Sequence, residues 1–181
     1  PEQTVALGDL GEQLARLRLC EPAAIEAMEK SLTRYGQLTA ALVFARGDGI
    51  EVIDGFKRLQ AARRLGWREL RVRHCSADAA QATVQIAALH TGRGLTELEE
   101  GWIVRALYRA HGLSQPAIAE QLARHKSWVC RRLLLVEGLD SEVQARVRLG
   151  LLSPRAAVAL TALPRGNQEA ASDVVVQRGL T

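Results

Sequence analysis

The sequence predicts an α+β chain: a small N-terminal mixed α/β unit followed by an all-helical unit built around a helix-turn-helix. Three observations carry that prediction. Up to about residue 90, strand-like alternation and helical spacing take turns, and from Thr96 onward only helical spacing remains. Residues 115–135 combine a small residue, apolar backing and a basic face, as two helices crossing at a steep angle require. The expected domains are therefore residues 1–92 and 93–181, with the helix-turn-helix at 114–136 and the joint in the loop Thr91-Gly92-Arg93-Gly94.

Along the chain, Glu21-Pro22 opens an apolar pattern through Ile25, Met28 and Leu32 that stops at Gly36, with Pro in the first turn and Gly at the C-terminal cap. Residues 38–45 read as a strand, Arg46-Gly47-Asp48-Gly49 as a turn and residues 50–53 as the returning strand of a hairpin. Phe56, Leu59, Ala62 and Leu65 recur at helical spacing until Gly66. Residues 70–75 alternate as a third strand, with Arg71 and Arg73 on its wet face, and Asp78 caps a helix reaching about His90. In the second unit Thr96 and Glu99 form a capping-box pattern at the head of a helix expected to reach Gly112. Helices follow over 114–123, 127–136, 140–149, 154–162 and 167–177.

Composition excludes several classes. Hydrophobic residues at 48% and a net charge of +4 are those of a folding chain, and 15 Gly with 5 Pro are too few for a fibre. No apolar run approaches the roughly 18 to 20 residues of a membrane span, so a cytoplasmic protein with no membrane partner is expected. Cys20, Cys75 and Cys130 are odd in number and far apart, which argues against a disulfide framework or a structural zinc. His74 and Cys75 are neighbours on one predicted strand and point to opposite faces, so they cannot act as a pair. The chain starts at Pro1 and stops just after Leu180, where Leu180-Thr181 resembles the entry to a further helix much as Leu113-Ser114 does; a longer parent protein is expected.

In the helix-turn-helix, Ala119 is the small crossing residue, with Ile118 and Leu122 beside it, and Val129, Leu133 and Val136 give the second helix its packed face. The other face is expected to carry Trp128, Arg131 and Arg132, with Lys126 and Ser127 at the helix start and Gln115 opening the first helix. Those residues suit a major groove: Arg pairs bidentately with guanine, Lys and Ser bind phosphate or base edges, and Trp packs on sugar or methyl groups. Cys130 is expected to be a small buried hydrophobe. The turn position often filled by Gly is Ala123 here.

A second signal lies at Asp54-Gly55-Phe56-Lys57-Arg58, where a strand ends at Gly and a helix begins with two cations. Cations at the positive end of a helix are unfavourable unless an anion joins them. Gly55, the exposed amides, Lys57 and Arg58 together suit a phosphate.

The order of elements, the Gly55-Phe-Lys-Arg-Leu-Gln-Ala-Ala-Arg-Arg-Leu-Gly66 segment, the Leu95-Thr-Glu-Leu-Glu-Glu-Gly101 helix start and the helix-turn-helix resemble the ParB family of partition proteins and their regulator relatives. Ser127-Trp-Val-Cys-Arg-Arg-Leu133, Leu149-Gly-Leu-Leu-Ser-Pro154 and Leu163-Pro-Arg-Gly-Asn167 are closer to ParB-like proteins of mobile elements than to housekeeping ones. The resemblance implies an N-terminal domain that binds CTP with Mg2+, a helix-turn-helix domain that reads palindromic double-stranded DNA, a homodimeric clamp, a partner ATPase, a location on nucleoid or plasmid, and a C-terminal dimerisation domain outside this chain. The family's Gly-Glu-Arg-Arg phosphate motif is here Gly55-Phe56-Lys57-Arg58, with Gln60 where a further Arg is usual; Arg93 is the one remnant of its Glu-Asn-x-x-Arg motif. The implied nucleotide residues are Gly55, Lys57, Arg58 and Arg93. Loss of the acid leaves two alternatives to a CTP-gated clamp: a plain helix-turn-helix regulator with a degenerate pocket, and a CTP-hydrolysing enzyme. The α/β unit is also distantly similar to sulfiredoxin, but Phe56 stands in the region of that enzyme's nucleophile.

Overall fold

A computed structural model describes residues 2–90 and 94–180, in two compact units, Pro1–Leu89 and His90–Thr181. Arg93 lies outside the described residues.

The first unit is a five-stranded mixed sheet with three α-helices. Its strands are β1 (Glu2–Ala6), β2 (Leu10–Gly11), β3 (Ala41–Arg46), β4 (Gly49–Asp54) and β5 (Glu69–His74), in the spatial order β1-β5-β3-β4-β2. The expected hairpin is the antiparallel pair β3/β4, while β5 lies parallel to β3 and antiparallel to β1. Neighbours on a strand face opposite ways, so burial of both Val43 and Phe44, and of both Val52 and Ile53, means that both faces of the central strands are covered. Helices α1 (Pro22–Tyr35), α2 (Phe56–Arg64) and α3 (Ala79–Leu89) occupy the expected segments.

Two features of this unit depart from the sequence reading. The β3 strand begins at Ala41 rather than residue 38, because the Gln37 side chain takes the place of a ladder residue: its Nε2 donates to the Arg71 carbonyl (2.7 Å) and its Oε1 accepts the Arg71 N–H (2.7 Å). The first 20 residues, which carry no legible pattern, supply both edge strands. Buried Glu51 packs against β2 and the turn after it, accepting the Leu14 N–H at 3.1 Å, and a Cβ on Gly11 would lie 2.4 Å from its Oε2.

The second unit is all helix: α4 (Glu97–Arg105), α5 (Gln115–Gln121), α6 (Lys126–Leu133), α7 (Ser141–Arg148), α8 (Pro154–Leu160) and α9 (Arg165–Gln177). The capping box forms with both reciprocal bonds, Glu99 N–H to Thr96 Oγ1 (3.2 Å) and Thr96 N–H to Glu99 Oε2 (2.8 Å), a device worth about 1 kcal/mol. Helix α4 does not run as α-helix to Gly112; a π turn (Ala106–Ala110) replaces its end, and a second π turn (Leu134–Gly138) continues α6. The core of this unit gathers Leu98, Leu135, Val136, Leu139, Val143, Leu152, Ala157 and Leu160. Buried Gln168 ties α9 to it, its Oε1 accepting from Asp140 N–H (2.8 Å) and its Nε2 donating to the Gly138 (3.0 Å) and Leu163 (3.1 Å) carbonyls. Among the described residues no helix is long and apolar enough to cross a membrane.

Candidate nucleic-acid interface

Ser114 caps α5 through the Ala117 N–H (3.4 Å), and buried Ile118 and Ala119 make its contact face. The turn into α6 is closed by the Arg124 N–H donating to the Ala119 carbonyl (2.8 Å), which requires the left-handed conformation at Ala123 (φ 50°). This is a position where Gly costs least, and Ala123 carries a Cβ there against that preference. Val129, Leu133 and Val136 are buried as expected.

The opposite side of α6 is divided. Lys126, Ser127 and Arg131 are exposed, and so is Cys130, which corrects the expectation of a buried thiol. Trp128 and Arg132 do not share that free face. Trp128 is half-buried, with the guanidinium groups of Arg124 (5.3 Å from the ring centroid) and Arg132 (5.1 Å) over its ring. Arg132 is only 12% exposed and turns back to α4, bonding Glu97 (2.6 Å) and Glu100 (2.7 Å). The reason is local: α4 and α6 approach so closely that a Cβ on Gly101 would lie 2.6 Å from Val136 Cγ1 and 3.0 Å from the Arg132 carbonyl, which brings the acids of the first turn of α4 within reach of the guanidinium. Gln115 stands half-buried at the first position of α5.

The true exposed stripe is Lys126, Ser127, Cys130, Arg131 and Leu134. Cys130 and Leu134 were missed, although the spacing i, i+3, i+4, i+7 from Ser127 places them on one face with Arg131. His125 precedes α6 without a side-chain cap, and no acid stands in its first turn, so the leading amides of the helix point outward beside Lys126.

The α2 start has the same character. Gly55 at φ 108° is its cap, without a side-chain bond, and a Cβ there would meet Ala41 Cβ at 2.9 Å and an Arg58 guanidinium nitrogen at 3.0 Å. Arg58 folds back over this cradle, donating to Thr39 Oγ1 at 2.7 Å. Burial pushes its pKa down, and the nearby Asp54 carboxylate pulls it partly back up. Lys57 is half-buried in the first turn. Phe56, in the place of the family acid, is 4% exposed and belongs to the core. Phe56 offers a metal ion no donor, and among the described residues no three His, Cys, Asp or Glu side chains gather to hold one.

Cys75 is half-buried, its thiol donating to Gln85 Oε1 (3.4 Å), and burial pushes its pKa up.

Residues 93–181 match the family model of the ParB helix-turn-helix domain. Among curated relatives, nucleoid occlusion proteins are similar over both units: that of Oceanobacillus iheyensis is 30% identical over 160 residues, covering 86% of this chain and 56% of the relative. That of Halalkalibacterium halodurans is 29% identical over 141 residues, covering 77% and 49%. The chain is a ParB-like protein. It spans about half the length of the curated relatives it matches. Two solved structures share the ParB-like fold. The C-terminally truncated chromosome-partitioning protein ParB of Caulobacter crescentus, complexed to its centromeric parS site, superposes with a TM-score of 0.59 at 21% identity, covering 99% of this chain and 94% of that one. The pNOB8-like ParB N-domain superposes with a TM-score of 0.61 at 16% identity, covering 97% and 92%.

Proposed function

We propose that this ParB-like chain binds double-stranded DNA sequence-specifically through α6, reading a palindromic site as a homodimer. The observation that carries this reading is the exposed stripe of α6, with an uncapped helix start beside Lys126 and an exposed Arg131. The leading amides and Lys126 suit backbone phosphates, and Arg131 suits a guanine edge. The parS complex of the Caulobacter relative supports the same use of the domain. Selection of bound duplexes from a random pool tests it: a palindromic consensus lost in Arg131→Ala is expected, and recovery of unenriched sequence by the parent overturns it.

The same proposal places the phosphates of CTP at Gly55, Lys57 and Arg58, with Arg93 as a further cation, so that nucleotide biases the N-terminal units between open and closed arrangements of a DNA clamp. A magnesium ion would there be carried by the nucleotide's own phosphates and water rather than by a protein carboxylate. When bound, the nucleotide supplies the anion that the uncapped α2 start lacks. Gly55 admits it, the α2 amides and Lys57 hold it, and Arg58 must release Thr39 to reach it. Phe56 and the engaged Arg58 favour a second reading over hydrolysis, a DNA-binding regulator with a degenerate pocket. Calorimetric titration with CTP, ATP, GTP and UTP decides between them: selective CTP binding lost in Arg58→Ala supports the clamp, and no binding with DNA present leaves the regulator.

A further inference from the structure

The two adjacent arginines of α6 have opposite surroundings. Arg131 is exposed, whereas Arg132 is held by two carboxylates of α4 and covers one side of the Trp128 ring. We infer that Arg132 is a positioning residue that sets how α6 sits on α4, and that base reading belongs to Ser127, Cys130, Arg131 and Leu134; this inference rests on the DNA-binding reading above.

The physical argument has three parts. A guanidinium bonded to both Glu97 and Glu100 and only 12% exposed is turned toward α4 rather than toward a base edge, and detaching it would strand a mostly buried carboxylate, Glu100 being 18% exposed. The contact between α4 and α6 is close-packed at Gly101, against Val136 and the Arg132 backbone, so the Arg132 ion pairs act where a small displacement turns the whole helix. The four reading residues left outside these ion pairs are one hydroxyl, one cation and two apolar groups, Ser127, Arg131, Cys130 and Leu134, on one face of the helix with Lys126 at its start. The cation suits guanine O6 and N7, and the apolar pair suits the 5-methyl group of thymine.

This division makes a prediction whose sign is unusual. Removing acids from a DNA-binding domain ordinarily strengthens binding, because fewer negative charges face the phosphates. Here Glu97→Gln, Glu100→Gln and the double variant should weaken binding to the selected duplex about 5- to 20-fold while leaving binding to random duplex equal or tighter, so that the specificity ratio falls. A charge exchange, Glu100→Arg with Arg132→Glu, should recover most of the specific affinity lost in Arg132→Glu alone, since the contact is restored with no cation at 132. Arg131→Ala should lose specificity with the melting temperature unchanged.

Thiol accessibility gives an independent arm in the unaltered protein. Maleimide labelling of Cys130 should slow several-fold when the selected duplex is bound, with Cys20 and Cys75 as internal references, and replacing thymine by uracil in the site should weaken binding by removing methyl groups. Tighter specific binding in Glu97→Gln, where the partner is 44% exposed and the fold is least at risk, overturns the positioning role. Unchanged Cys130 labelling in a complex that does form overturns the reading stripe. If the parent selects no sequence at all, it is the DNA-binding reading itself that fails.

Discussion

The starts of α2 and α6 invite comparison, because both place lysine or arginine beside helix amides that no side chain caps. Helices α4, α5, α7 and α8 begin at Thr96, Ser114, Asp140 and Ser153, each of which accepts a backbone N–H with its side chain. Helices α2 and α6, like α1 and α9, have no such cap, and they carry Lys57 with Arg58 and Lys126 at that end. Orphaned amides beside cations are suited to anions, yet the two sites solve the problem differently. At α2 the glycine cradle is tight and Arg58 is drawn out of water onto Thr39. At α6 the cation face is open, and order comes from behind the helix, through Arg132 and α4. A cradle selects a small anion by closeness; an open face accepts a polyanion and depends on how the helix is held.

That contrast can be broken at its tightest point first. Gly55→Ala combines a left-handed backbone with a 2.9 Å clash against Ala41, and should destabilise the first unit by about 2 to 4 kcal/mol in denaturant titration while the second unit's transition stays put. Gly101→Ala is the counterpart for α6: about 1 to 3 kcal/mol lost from the second unit, with a fall in specific DNA affinity that Gly55→Ala does not share. At the ligand level, Arg131→Ala should cost about 1 to 3 kcal/mol of specific DNA binding, whereas Arg58→Ala should leave nucleotide-free DNA affinity unchanged and abolish any CTP binding.

Smaller effects sharpen the picture of how α6 is held. Ala123→Gly relieves a left-handed alanine worth about 1 to 2 kcal/mol but gives back about 0.5 to 1 in unfolded-state entropy, so a net gain of at most about 1.5 kcal/mol in thermal melts is expected. The smallest change concerns Glu137, whose carboxyl is held below its ordinary range first by the hydrogen bond from Arg109. A lowered folded-state pKa adds stability above the ordinary carboxylate pKa, and that stability is lost as pH falls through the folded value. Arg109→Ala should therefore lower stability slightly near neutrality and converge with the parent in acid; parallel acid-unfolding curves would count against the pair.

Much of this was legible beforehand for identifiable reasons. Caps such as Thr96 with Glu99 and stops such as Gly36 act within one turn, and their bonds are those expected from spacing. The hairpin and the buried side of α6 follow from local periodicity. The edge strands β1 and β2 were illegible because their register depends on distant partners: Arg73 for Glu2, and Ile50 for Leu10. Arg132 was misplaced for the same reason, since its acids stand more than 30 residues away, at Glu97 and Glu100.

The sequence by itself determined the two-unit α+β organisation, the helix-turn-helix and the basic helix starts, because propensity, capping and periodicity are encoded within a few neighbouring residues. Only the tertiary structure decided which cations are free. Arg131 and Arg132 are indistinguishable as neighbours in a chain, and the close approach of α4 at Gly101 is what gives one of them to the solvent and the other to Glu97 and Glu100.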